Sequence, residues 1–123
     1  MTTVLNHQTI AAHRLPGYGG VVAMSELGAI LYVSGELDGL LGLEHGAAIG
    51  RSFLEFVHGD DVEFAVESFA GIGGRSGRHQ ALHIRVASGD DVIPVDVVPD
   101  NRLDDPALTA VLVHVAAPGV ESA

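Results

Sequence analysis

With 123 residues the chain is the size of one domain, long enough to bury roughly two-thirds of the surface that its unfolded form exposes. It has no cysteine, which excludes disulfides, thiolate metal sites, thiol nucleophiles and cysteine-linked chromophores. A formal charge of −10, carried against six arginines and no lysine, cannot supply the cationic stripe that nucleic acid requires, so no nucleic-acid partner is expected. The opening MTTVLNHQTIAAHRL is polar and no apolar run approaches a membrane span, so the expectation is a soluble, cytoplasmic protein with no membrane partner.

Residues 4–15, VLNHQTIAAHRL, predict a short helix with a thin apolar stripe, stopped by Pro16-Gly17-Tyr18-Gly19-Gly20. Such a helix packs on its own domain, packs on a partner, or frays, and residues 1–17 are set apart as a segment able to serve as a dimerisation arm. Residues 20–24 and 29–33 are β-rich, and Ser25-Glu26-Leu27-Gly28 joins them as a hairpin with glycine at the left-handed position. Residues 35–50 carry helical turns broken by glycines, with Leu37, Leu40 and Leu41 directed inward.

Two further helices are expected between 50 and 71. Ser52 followed by Glu55 forms a capping box, in which the serine oxygen and the glutamate each take an orphan backbone N–H. Asp60 followed by Glu63 repeats the spacing after His58-Gly59 and predicts a second capped start. Phe53, Phe56 and Val57 form one apolar face; Val62, Ala65, Val66 and Phe69 fall at i, i+3, i+4 and i+7 on the other helix. All four phenylalanines lie here, so the core is expected to be anchored on this segment. GIGGRSG at 71–77 runs from helix to strand, the reverse of a phosphate-binding loop, and reads as a connector.

Three strands close the chain. Residues 80–86 alternate bulky apolar side chains with His83 and Arg85; 93–97 place Ile93, Val95 and Val97 inward; 110–116 put Val111, Val113 and Val115 on one face and Leu112 and His114 on the other. An antiparallel sheet of five strands, with the helical middle as its only cover, makes the fold α+β with short helices across one face.

No catalytic constellation is visible. His79 and His83 on or beside a strand stand roughly 13 Å apart, too far to share an ion, so no metal site is predicted and the histidines of the sheet are expected on its wet face. His58 reads as a helix-terminal residue bonded to the following turn, with a haem or cavity role as the alternative. The paired aspartates 60–61, 90–91 and 104–105 fall at turns. Asp96 lies mid-strand, turned away from Val95 and Val97, and is the one candidate general base.

In its ordering the chain resembles a PAS domain over residues 18–116, with 118–123 left as a tail. The resemblance is carried by Gly20-Val21-Val22, by Gly28-Ala29-Ile30-Leu31-Tyr32, by Leu40-Leu41-Gly42, and by Ile49-Gly50-Arg51-Ser52. It continues through Phe56-Val57-His58-Gly59-Asp60-Asp61, where Gly59 replaces the usual proline, and through Asn101-Arg102-Leu103-Asp104-Asp105-Pro106-Ala107, similar to the turn before the last strand. The resemblance implies strand order 2-1-5-4-3 and a sensory or interaction module of a larger signalling protein. Such a protein would be a cyclic-dinucleotide enzyme (diguanylate cyclase or phosphodiesterase), a histidine kinase or a transcription regulator, with its effector domain outside this chain. It implies a cavity between helices and sheet, lined by Leu41, Phe53, Phe56, Val57, Val66, Phe69, Leu82, Ile84, Val95, Val97, Val113 and Val115. No cofactor is predicted: the adduct-forming cysteine of flavin sensors is missing, and DVEFAVESFA at 61–70 lacks the histidine of haem-binding members. The apolar lining implies either a small apolar ligand or a cavity filled by side chains. The Asp-x-Thr junction that ends the last strand in many members is replaced by Val115-Ala116-Ala117-Pro118-Gly119. Three functions follow as expectations: a ligand-sensing module, a ligand-free interaction module acting as a homodimer, or a small α+β enzyme using Asp96. The first two make the chain a non-enzyme.

Overall fold

The computed structural model describes residues 7–13, 15–44, 46–72 and 74–116. The tail 118–123 and the first part of the expected N-terminal helix, residues 4–6, lie outside them. Helix α1 (His7–Ala11) precedes strands β1 (Gly20–Met24) and β2 (Ile30–Val33) and helix α2 (Gly35–Leu41). Two 3₁₀ turns, Phe53–Phe56 and Gly59–Asp61, lead into helix α3 (Val62–Ile72), and strands β3 (Gly77–Arg78), β4 (Leu82–Ser88), β5 (Asp91–Arg102) and β6 (Ala110–Ala116) follow.

The sheet runs β2-β1-β6-β5, and β4 and β3 share the remaining edge of β5; every pairing is antiparallel. Counting the five main strands in sequence, this is the expected 2-1-5-4-3 order. One feature differs. Strand β5 is twelve residues long, so Asn101 and Arg102 belong to it and the turn begins only at Leu103. That extra length gives β5 room to pair with β4 over residues 91–97 and with the two-residue β3 at Asp100 and Asn101.

Local chemistry explains the crossings. The Ser52–Glu55 capping box forms: Leu54 N–H donates to Ser52 Oγ at 3.2 Å and Ser52 N–H to Glu55 Oε2 at 3.2 Å. Arg51 holds the same carboxylate from Nε at 3.0 Å and lies 4.8 Å from the Phe56 ring centroid, which keeps the Glu55 carboxyl below the ordinary range. The expected second box does not form. His58 occupies the cap position instead, its Nδ1 accepting from Asp60 N–H at 3.1 Å. Asp61, the last residue of the 3₁₀ turn that precedes α3, grips Arg85.

The sheet is buried on its inner face and on part of its outer face. Its inner face carries Val22, Ile84, Val95, Val97, Val113 and Val115 under α2, α3 and the 3₁₀ turns. Its outer face carries Val21, Ala23, Ala110 and Leu112, covered by Ile10 of α1 and by Leu108. Ile10 of α1 packs on its own domain. His114, on the same face, is 1% exposed, not on a wet face as the strand pattern predicts: alternation identifies the face, but what packs on it decides whether that face meets water. Nor do the phenylalanines form the centre. Phe64 is 46% exposed, and the largest fully buried side chains include Ile10, Leu108 and Leu112.

Asn101 locks the end of α3 to β5. Its buried side-chain amide donates to the Ile72 carbonyl at 2.8 Å and the Arg75 carbonyl at 3.1 Å, and its Oδ1 accepts from Leu103 N–H at 3.0 Å. The Ile72 carbonyl at the helix end, which also accepts from Arg75 N–H, thereby gains a side-chain donor from the sheet.

Gly28 answers two constraints at once. Its φ is +88°, and a Cβ there would stand 2.9 Å from two Phe53 ring carbons. Gly28→Ala is expected to cost about 2–4 kcal/mol, backbone strain plus overpacking. Gly89→Ala, with φ +61° and no neighbour within 4 Å, should cost only about 1 kcal/mol. Urea unfolding of the two variants measures the difference; equal losses would mean that the Phe53 contact has no energetic weight.

Candidate functional site

The segment from Gly50 to His58 crosses the inner face and is tied by backbone to both edges of the sheet. At the β2 edge, Ile30 N–H donates to Arg51 O at 2.8 Å, Gly50 N–H to Ile30 O at 2.8 Å and Phe53 N–H to Gly28 O at 3.0 Å, with a bridge between Ala29 and Ser52. At the β4 edge, Val57 bridges Val86 and His58 N–H donates to Arg85 O at 2.8 Å. A flat five-stranded sheet plus the two bridges spans six gaps, about 29 Å at the usual strand spacing. The five steps from Ser52 to Val57 reach about 17 Å even when extended, and less through a 3₁₀ turn. The sheet must therefore curl toward its inner face until the strap can close over it.

Between the curled sheet and the strap lies a cavity of about 70 Å³. Every lining side chain is apolar: Leu41, Phe53, Phe56, Val57 and Phe69 from the helical side, Ile84, Val95, Val97, Val113 and Val115 from the sheet, together with residues discussed below. Phe53 and Phe69 meet with ring centroids 4.8 Å apart at 59°. An aromatic pair in that tilted arrangement contributes about 0.5–1.5 kcal/mol beyond its burial.

The structure gathers all of the sequence-derived lining residues around this space except two. Val66 is 45% exposed and lies in an outer hollow of about 260 Å³, between the β1–β2 turn and α3, that shares Phe53 and Phe69 with the cavity. The helical spacing of Val66 matches Ala65 and Phe69, but α3 is docked on its Ala65–Ile72 side and leaves Val66 outside. Leu82, the first residue of β4, packs against the edge of the inner core and faces a third hollow near Arg75–Gln80.

Sequence reasoning missed Val22, Met24, Ile30, Val33, Leu37, Ala48 and Val86, which also line the cavity. The continuous apolar run in β1 hides which face is which. Its register, Val22 opposite Val113, would have revealed it. In β2 the alternation is broken by an irregularity between Ala23 and Met24, so Ile30 and Val33 both face inward although three residues apart. Ala48 carries no pattern at all.

The polar groups lie elsewhere. His83 and Asp96 are cross-strand partners on the outer face, and the His83 Nδ1 is hydrogen-bonded to the Asp96 carboxylate, with the histidine side chain 81% exposed. Asp96 thus faces away from the cavity. His79 Nε2 donates to the Arg75 carbonyl at 2.8 Å. Among the described residues no group of three His, Cys, Asp or Glu side chains could hold a metal ion, and no helix is long and apolar enough to cross a membrane. Asp61 and Arg85 form a two-pronged pair, Arg85 Nε to Oδ2 at 3.0 Å and NH2 to Oδ1 at 2.8 Å, with Arg85 N–H also donating to Oδ2 at 2.8 Å. These bonds pull the Asp61 carboxyl down to about 2, and they clamp the start of α3 to β4 beside the strap.

No family model matches the sequence, and no curated protein matches it. Solved structures match its shape. It is similar to the wild-type PAS-B domain of Drosophila melanogaster Cycle with bound ethylene glycol, at TM-score 0.68 and 16% identity over 80% of this chain and 98% of that one. It is similar to the PAS domain, in complex with ethanol, of a LuxR-family transcriptional regulator from Burkholderia thailandensis, at TM-score 0.67 and 18% identity over 94% of this chain and 100% of that one. The PAS domain of an HTR-like protein from Haloarcula marismortui gives TM-score 0.66 and 17% identity over 80% of this chain and 79% of that one. The chain has the PAS fold: an antiparallel sheet, α+β, with short helices strapped across one face. At these identities the likeness is one of fold.

The Asp61 clamp sets an acid dependence. Above pH about 4 the carboxyl is ionised in both folded and unfolded chains and the clamp contributes fully. As pH falls toward 2 the unfolded chain binds its proton first, while folded Asp61 stays ionised down to about 2, so the contribution is lost across that window. Asp61→Asn should flatten the acid limb of a stability-against-pH curve from denaturant unfolding; an unchanged limb would remove the clamp from the acid response.

Proposed function

We propose that the chain is a sensory module that holds a small, neutral, apolar molecule in the strapped cavity and serves an effector domain outside this chain. One observation carries the reading: a space beneath the strap lined only by apolar side chains, with the His83–Asp96 pair turned to the other face of the sheet. Empty apolar cavities are costly to keep, at roughly 24 cal/mol per Å³, and a cavity that persists gains stability from an occupant. A cavity of about 150 Å³ takes benzene; by proportion this one, at about 70 Å³, suits a molecule of about three heavy atoms. That size argues against flavin or haem. Two structural neighbours hold ethylene glycol and ethanol, molecules of this size, which supports a ligand of these dimensions. With no polar group to orient it, selection acts by volume and shape. The orientation of Asp96 toward His83, away from the cavity, supports a non-enzymatic role.

Val95→Ile and Val97→Ile each add one methylene to the lining. In the protein as proposed, the double variant keeps or gains thermal stability. It also loses the rise of a few degrees that millimolar ethanol, propanol or cyclopropane produces in the wild type, measured by calorimetry. If the space is closed in solution and the core is filled, the added methylenes strain it by about 1–3 kcal/mol and no small molecule stabilises either form.

A further inference from the structure

In a chain of net charge −10, the described arginines are divided unequally. Arg51 is paired with Glu55, Arg85 with Asp61 and Arg102 with Asp100. Arg75 and Arg78 form no ion pair among the described residues. Both lie on one connector, between α3 and β4, and both line the same open groove of about 490 Å³. His79, Ser68, Ser76 and Gln80 line it with them, and no carboxylate does. The one acid in register with Arg78, Asp100, is 1% exposed and lies 3.0 Å from the Arg102 guanidinium. Ile72 and Leu82 give the groove an apolar floor.

A glycine-rich connector carrying two cations would ordinarily be too loose to make a site. This one is tied down. Arg75 N–H donates to Ile72 O at 3.0 Å, and the Arg75 carbonyl takes Asn101 Nδ2 at 3.1 Å and His79 Nε2 at 2.8 Å. Gly77 and Arg78 pair with Asn101 and Asp100 as β3, and His79 N–H donates to the Pro99 carbonyl at 2.8 Å. Because β3 and β4 pair with the same edge of β5 at separate stretches, residues 79–81 arch between them and open the groove. The backbone that carries Arg75 and Arg78 is thus held before any ligand arrives, which leaves only the side chains to be ordered on binding. A carbonyl can only accept, so His79 presents its Nε2 hydrogen to Arg75 and leaves Nδ1 for the solvent side.

We infer that this groove binds a small organic anion, a phosphate monoester or carboxylate with an apolar body, held by Arg75 and Arg78 with the body resting on Ile72 and Leu82. Planar guanidinium groups match both oxyanions two-pronged, and the hydroxyl and amide donors add hydrogen bonds that an ammonium-based patch would lack. The acidic remainder of the surface repels longer polyanions and restricts the site to small ones. This site is separate from the interior cavity and does not rest on the sensory reading.

The test is an NMR titration of the whole chain with phenyl phosphate, benzoate and benzyl alcohol. The expected result is that phenyl phosphate and benzoate shift the amide signals of residues 75–80, with an affinity that falls as salt is raised, while benzyl alcohol leaves them in place. Arg75→Gln with Arg78→Gln should weaken anion binding by about tenfold or more. Both side chains are exposed, so the variant should unfold at the wild-type temperature, and a matching melting curve confirms that it is folded. Unchanged anion affinity in the folded double variant, or equal shifts from benzyl alcohol, would overturn the assignment.

Discussion

The backbone strap from Gly50 to His58 is the constraint from which the rest of the molecule follows. Hydrogen bonds join it to Ile30 and Gly28 at one edge of the sheet and to Arg85 at the other. A strap that short cannot span a flat sheet, so the strands curl, and the curl sets how much interior remains. The cavity is small for a covalent reason: the number of residues between two edge bridges is fixed by the sequence. The side chains that the strap carries inward, Phe53, Phe56 and Val57, then decide what that space accepts.

The outer face obeys a different logic. There the cover is a five-residue helix, α1, too short to hold its own structure in isolation. It is held by burial of Ile10 against Val21, Ala23 and Leu112. His114 is buried on this face, while His83 and Asp96, on the part of the face nearer the β4 edge, stay partly or largely exposed. One sheet thus has a dry inner face, a half of its outer face dried by α1, and a remainder open to water.

A cavity without polar anchors and a groove rich in them are complementary in chemistry. The first takes what water rejects; the second takes what an acidic surface otherwise repels. They lie on opposite sides of the Phe69–Ile72 turn of α3, whose end is fixed by Asn101. The same helix therefore walls both spaces, and Asp61 clamps its beginning to β4 as Asn101 clamps its end to β5.

Much of this was legible in the residues. Ser52 and Glu55 specify a helix start because both bonds of a capping box close within four residues. The alternation in β4, β5 and β6 assigns Ile84, Val95, Val97, Val113 and Val115 to one face because side-chain direction in a strand is a local property. Strand order was legible only through resemblance, since pairing is not local. What lies in front of a face was not legible at all. Val66 has the spacing of a core residue and lies outside; His114 has the spacing of a surface residue and is buried. Asn101 reads as turn and instead locks a helix, and Arg75 reads as linker yet shares one groove with Arg78. Periodicity determines where a side chain points relative to its own element. Whether it meets another element, water or an empty space depends on contacts between residues far apart in the chain, and those only the tertiary structure decides.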